Sequence, residues 1–135
     1  MVLGHFGRAK YGHFSRVPKV DDNIAEIRRV VRRFHELGGS LVFGTDTGYL
    51  TDYDVAEEFG QLTKASFIWV DILRMLTENP ARLFKEQNSR GRIAPGMIAA
   101  LTLLEADPAT DPSALSRIRY TIRNGACCLR IPLTP

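Results

Sequence analysis

Between Asp21 and Leu37, apolar residues recur at Ile24, Ile27, Val30, Val31, Phe34 and Leu37. At about 100° per residue they share one side of a helix, with Arg28, Arg29, Arg32, Arg33 and Glu36 on the other. Asp21 or Asp22 can cap its start, and Gly38 suits the left-handed position after its last turn. The spacing predicts an amphipathic helix over 21–37. The run Ser40-Leu41-Val42-Phe43-Gly44 that follows shows no alternation, the pattern of a strand covered on both faces in a parallel sheet. Helix, glycine turn and buried strand make the αβ half of a βαβ unit.

Asp54 is placed to cap a helix running to about Ala65. Ser66 is placed to cap another, with Trp69, Ile72, Leu73 and Leu76 as its buried stripe. Asn79-Pro80 ends or restarts that helix, because proline disfavours a helical conformation at the residue before it. Beyond Asn88 the texture becomes β. Residues 91–96 are turn-rich, Leu101–Leu104 reads as a short strand, and Asp107-Pro108 and Asp111-Pro112 mark loops. Ile118, Tyr120 and Ile122 alternate with Arg117, Arg119, Thr121 and Arg123, which predicts a half-buried strand. Asn124-Gly125 favours a type I′ turn into Ala126–Ile131, a hairpin on which Cys127 and Cys128 face opposite ways.

Composition narrows the class. The 135 residues suffice for one domain, and seven Phe, four Tyr and one Trp argue against disorder. No apolar run reaches the roughly 18 residues of a membrane span, so no membrane partner is expected. Two adjacent cysteines make no disulfide framework, and the absence of a leader pattern points to a reducing, cytoplasmic setting. The net charge of +3 is uneven: Arg8, Lys10, Arg16 and Lys19 stand in the first twenty residues without an acid, leaving the rest near neutral. That irregular basic segment, with its Gly-His-Phe-x-Arg string at Gly4 and again at Gly12, is the one feature that suits nucleic acid. Nucleic acid is nevertheless not the expected partner. The arginines of helix 21–37 read as a solvated face, because Glu26 and Glu36 sit among them.

Asp46 is the candidate for chemistry. It follows the carboxyl end of the buried strand, where parallel α/β architectures present their reactive groups. A carboxylate there can bind a divalent cation or accept a proton from a metal-bound water, and a turn-stabilising role is the structural alternative. Thr45 and Thr47 can add hydroxyl contacts, and Gly44 and Gly48 allow a tight turn. Aspartic proteases carry the same Asp-Thr-Gly tripeptide, but they are almost wholly β, whereas the residues after Gly48 read as helix.

From about Ile24 onward the chain resembles the C-terminal part of the amidohydrolase superfamily, notably its imidazolonepropionase-like and prolidase-like members. The resemblance lies in ordered blocks: Leu41-Val42-Phe43-Gly44-Thr45-Asp46-Thr47-Gly48, then Glu57-Glu58 and Leu62, then residues 72–82 ending Glu78-Asn79-Pro80-Ala81-Arg82. Gly91-Arg92-Ile93-Ala94-Pro95-Gly96 and Leu103-Leu104-Glu105-Ala106-Asp107-Pro108 follow in the same order.

That resemblance implies an α/β fold: the last αβα elements of a (β/α)8 barrel over 21–89, and over 90–135 the C-terminal share of a small composite β domain. It implies metal-dependent hydrolysis of non-peptide C–N bonds in a small amide-type substrate. Zinc or another divalent metal is the implied cofactor, and Asp46, at the end of the eighth barrel strand, is the implied metal ligand and proton acceptor. The family's His-x-His motif is missing, His35 falls inside the first helix, and Ala100 stands where the family has aspartate. The surroundings of His5 and His13 do not match the family's histidine strands. A whole barrel takes about 250 residues. The chain is therefore expected to be incomplete and inactive alone, without stoichiometric metal. It would act as a fragment, as a non-catalytic remnant or assembly module, or by self-association or a complementing chain that carries the other ligands.

Overall fold

The computed structural model describes residues 20–45 and 55–129. The amphipathic helix is present as α1, Val20–Glu36, and Gly38 closes it at φ +86°. Ile24 and Val31 are buried as expected, but Val30, Phe34 and Leu37, from the same predicted stripe, are exposed. The apolar arc of α1 is wider than the surface that these residues provide to cover it.

The run after Gly39 differs from expectation. Residues 40–45 form neither helix nor strand and pair with no strand among the described residues, and Val42 is exposed rather than covered on both faces. A strand exists only through its neighbours' hydrogen bonds, and the described residues that bond to this segment, Met75 and Asn79, belong to helices.

Helix α2, Ala56–Lys64, is flanked by Val55 rather than Asp54, which lies outside the described residues. Helix α3, Trp69–Leu76, starts at Ile68 rather than Ser66. Asp71 accepts a hydrogen bond from the Ile68 amide at 3.4 Å, while Ser66 turns the chain at φ +64°. A break at Thr77 separates α3 from α4, Glu78–Leu83. Pro80 sits in the first turn of α4, where its missing N–H costs no helical bond.

The core gathers Val31, Phe59, Leu62, Ala65, Phe67, Ile72, Met75 and Leu115. Each large apolar side chain fully buried there contributes about 1.5–3 kcal/mol.

The β region follows its predicted pattern closely. Strands β1 (Leu101–Leu104), β2 (Ile118–Arg123) and β3 (Ala126–Leu129) form an antiparallel sheet in chain order. Ile118, Tyr120 and Ile122 are half-buried, and Arg119, Thr121 and Arg123 are exposed. Asn124 and Gly125 have φ +51° and +81°, the pair of positive values that a type I′ turn needs. The cysteines, expected to face opposite ways, are both exposed and free, because little covers either face at this end of the sheet.

A 3-10 helix, Pro112–Ser116, buries Ala114 and Leu115 and so attaches the sheet to the helical core. Its capping residue, Asp111, accepts hydrogen bonds from the Ser113 hydroxyl at 2.6 Å, an Arg117 guanidinium nitrogen at 2.9 Å and the Ser113 amide at 2.9 Å. These hold its carboxyl down to about 2 from an ordinary 3.8. A carboxyl whose pKa falls on folding contributes stability that is fully present above about 3.8 and lost as pH falls through about 2. Asp111→Asn is accordingly expected to lower stability at neutral pH and to flatten the acid limb of the pH–stability curve, so that variant and wild type converge as pH falls through about 2; an unaltered limb in urea titrations would contradict it.

Candidate active site

The segment that leads to Asp46 is held on one side by helix ends. In an extended chain, alternate residues turn their amide and carbonyl groups to the same side. On one side, the Phe43 amide donates to the Met75 carbonyl at 3.1 Å, and the Leu41 carbonyl accepts from Asn79 Nδ2 at 2.7 Å. Met75 lies in the last turn of α3, whose carbonyls lack partners within the helix, so the segment satisfies a group that the helix leaves open. The Phe43 ring stacks on Phe59 of α2, with centroids 4.9 Å apart and planes at 17°.

Asn79 therefore bridges the α3–α4 corner to the approach segment. Asn79→Ala leaves the Leu41 carbonyl, on a half-buried residue, without this donor. We expect a loss of about 1–2 kcal/mol, read as a lower urea midpoint at unchanged m-value.

Two buried polar residues escaped the sequence reading. Glu58 and Gln61 on α2 are almost wholly buried. Gln61 Nε2 donates to Glu57 at 2.6 Å, and its Oε1 has no partner among the described residues. Glu58, with Val31, Leu41, Val42, Phe43, Leu62 and Met75, lines a cavity of about 20 Å³, room for a single water. The available signal was helical spacing: Glu58 stands four residues before Leu62, on the face that the core claims.

The described backbone reaches Thr45, and Asp46, Thr47 and Gly48 lie outside it. His5, His13 and the basic residues Arg8, Lys10, Arg16 and Lys19 also lie outside. His35 is structural, its ring packed at 5.2 Å from that of Phe67. On α1, Arg29 pairs with Glu26 at 2.6 Å and Arg32 with Glu36 at 3.0 Å. These acids neutralise much of the arginine face, as its sequence implied.

Among the described residues no group of three or more His, Cys, Asp or Glu side chains is placed to hold a metal ion. Their donor set does not fit a self-contained zinc site, which in catalytic form takes three protein ligands. No helix among them is long and apolar enough to cross a membrane.

Comparison with known proteins gives these features a context. Residues 8–127 match the amidohydrolase family. Among solved structures, a Xaa-Pro dipeptidase with methionine in its active site superposes with a TM-score of 0.75 at 22% identity, over 95% of this chain and 32% of that one. A prolidase complexed with N-methylphosphonate-L-proline gives 0.66 at 22%, over 96% and 34%. Molinate hydrolase gives 0.67 at 18%, over 100% and 32%. The chain thus spans about a third of the length of these structures. No curated protein matches it.

Proposed function

The chain belongs to the amidohydrolase family, and from that premise we propose that it contributes Asp46 to a metal-dependent hydrolase of carbon–nitrogen bonds. The observation that carries this reading is the family match over residues 8–127, which includes the anchored segment running up to Asp46. In this reading residues 21–89 supply the last αβα elements of a (β/α)8 barrel, and residues 90–135 supply the C-terminal share of a small β domain.

A divalent cation, zinc or another, would supply the acidity that brings water near neutral pKa when bound. Asp46 gives that cation one carboxylate ligand and accepts a proton at its free oxygen. The described residues add no further ligands, so the others come from outside them, from a complementing polypeptide or from the rest of a longer one. The substrate is a small amide-type molecule with a non-peptide C–N bond. Free, exposed Cys127 and Cys128 suit a cytoplasmic setting.

Metal content tests the division of ligands. After dialysis against zinc and then buffer, the purified chain is expected to retain far less than one zinc per molecule by mass spectrometry. Tight one-to-one zinc that disappears in Asp46→Ala would overturn this and return His5 and His13 to the ligand set. For the assembled hydrolase, a panel holding a cyclic amide and a Xaa-Pro dipeptide separates non-peptide from peptide hydrolysis. Turnover of neither would leave the chain a non-catalytic assembly module.

A further inference from the structure

The β sheet sorts its residues onto two faces. Successive strand residues point to opposite sides, so directly paired residues share a face. Leu101, Ile122 and Cys127 form one row across the three strands, and Thr102, Thr121 and Cys128 form the next, on the other face. The first face is apolar and continues through Leu103 and Tyr120. The second carries Arg119 and Arg123, two residues to either side of Thr121. The adjacent cysteines are therefore divided by the sheet itself: Cys127 lies on the apolar face and Cys128 on the cationic one.

Cys128 stands opposite Thr121 and diagonally between Arg119 and Arg123. Diagonal neighbours of this kind are about 7–8 Å apart, within reach of a long side chain. Both arginines, Thr121 and Cys128 are exposed. The Arg119 guanidinium carbon lies 5.5 Å from the centre of the Tyr120 ring, which keeps that charge close to the sheet. Arg123 pairs across the hairpin with the small Ala126. No residue of β1, β2 or β3 is acidic. Two guanidinium groups within about one Debye length of a thiol raise the local concentration of anions there.

We propose that Cys128 is a modification site for small anionic disulfides of the glutathione type, held as a mixed disulfide that Cys127 does not resolve. The Cys128 thiolate attacks one sulfur of the reagent. A bond forms between the two sulfurs as the reagent's own S–S bond breaks, and its other half leaves as a thiolate that takes up the proton Cys128 gave up. The Cys128 sulfur is oxidised and the reagent is reduced by the same electron pair, so no further oxidant enters. Resolution by Cys127 would require the two sulfurs to meet at about 2.05 Å. Side chains on opposite faces of a strand meet only if β3 leaves its register with β2. The inference is independent of the hydrolase reading and does not involve Asp46.

Oxidised glutathione tests the site on the full chain. Mass spectrometry should show one glutathionyl adduct, kept in Cys127→Ser and lost in Cys128→Ser. Loss of two hydrogens in the wild type, the mark of a vicinal disulfide, overturns the proposal, as does an adduct that persists in Cys128→Ser. Steering by the arginines is read in the Cys127→Ser chain with two reagents, dianionic dithiobis(nitrobenzoate) and neutral dithiodipyridine. From about 20 mM to about 500 mM sodium chloride the rate with the dianion should fall at least roughly fivefold, while the neutral reagent stays within about twofold. This comparison needs no change to the arginines. Adding Arg119→Gln and Arg123→Gln should slow the dianion by a similar factor at low salt and leave the circular dichroism unchanged. Equal slowing of both reagents, or a salt response that is the same for both, overturns the proposal, because the arginines would then act on the strand and not on the anion.

Discussion

Asp46→Asn is expected to lower kcat for amide hydrolysis by roughly 10²–10⁴-fold in the assembled enzyme, the range for losing a positioned general base. The amide keeps the size of the carboxylate but is a poor ligand and does not take up a proton, so KM should change much less than kcat. Steady-state kinetics on the wild-type and variant assemblies check it. A turn-stabilising aspartate behaves differently: asparagine supports the same turns, so rates would stay within a few-fold while any loss appeared in stability. The ratio of the kinetic to the stability effect therefore separates the two roles of this residue. Zinc retention by the assembly should fall in parallel with kcat if Asp46 is a ligand.

The second large effect is expected at Phe59. Its ring is buried in the core and stacked on Phe43, so it supports both the helical cluster and the segment leading to Asp46. Phe59→Ala should cost about 3–5 kcal/mol through lost burial and the cavity left behind. That is a large fraction of the 5–15 kcal/mol that holds a typical domain together. Urea unfolding followed by circular dichroism would show it. Phe84→Ala, the same substitution on an exposed ring, should fall within about 0.5 kcal/mol of wild type. Comparable effects at the two positions would mean that the core is not organised around Phe59.

Several elements were legible from residue pattern because the forces behind them are local. The 3.6-residue period marked α1, proline at position 80 marked the α3–α4 break, and alternation plus Asn124-Gly125 defined β2 and its hairpin. Helix starts were read less well. Ser66 has the chemistry of a cap, yet the chain uses Asp71 from inside α3 because the positive φ at Ser66 turns the backbone before the helix begins. The burial of Glu58 and Gln61 was likewise not marked by residue type, since polar side chains on a helix usually face water.

The sequence by itself determined the local elements, the family and the choice of Asp46 as the residue to question. Those follow from side-chain spacing, turn chemistry and ordered motif blocks, all carried by short stretches of chain. Only the tertiary structure decided which half of each apolar surface is covered. It showed that, among the described residues, 40–45 leans on helix ends instead of strands, that Val30, Phe34 and Leu37 of the α1 stripe are exposed, and that Glu58 lies buried against Leu41, Val42 and Phe43. Coverage and pairing belong to neighbours distant in the chain, and no local pattern states whether those neighbours are present.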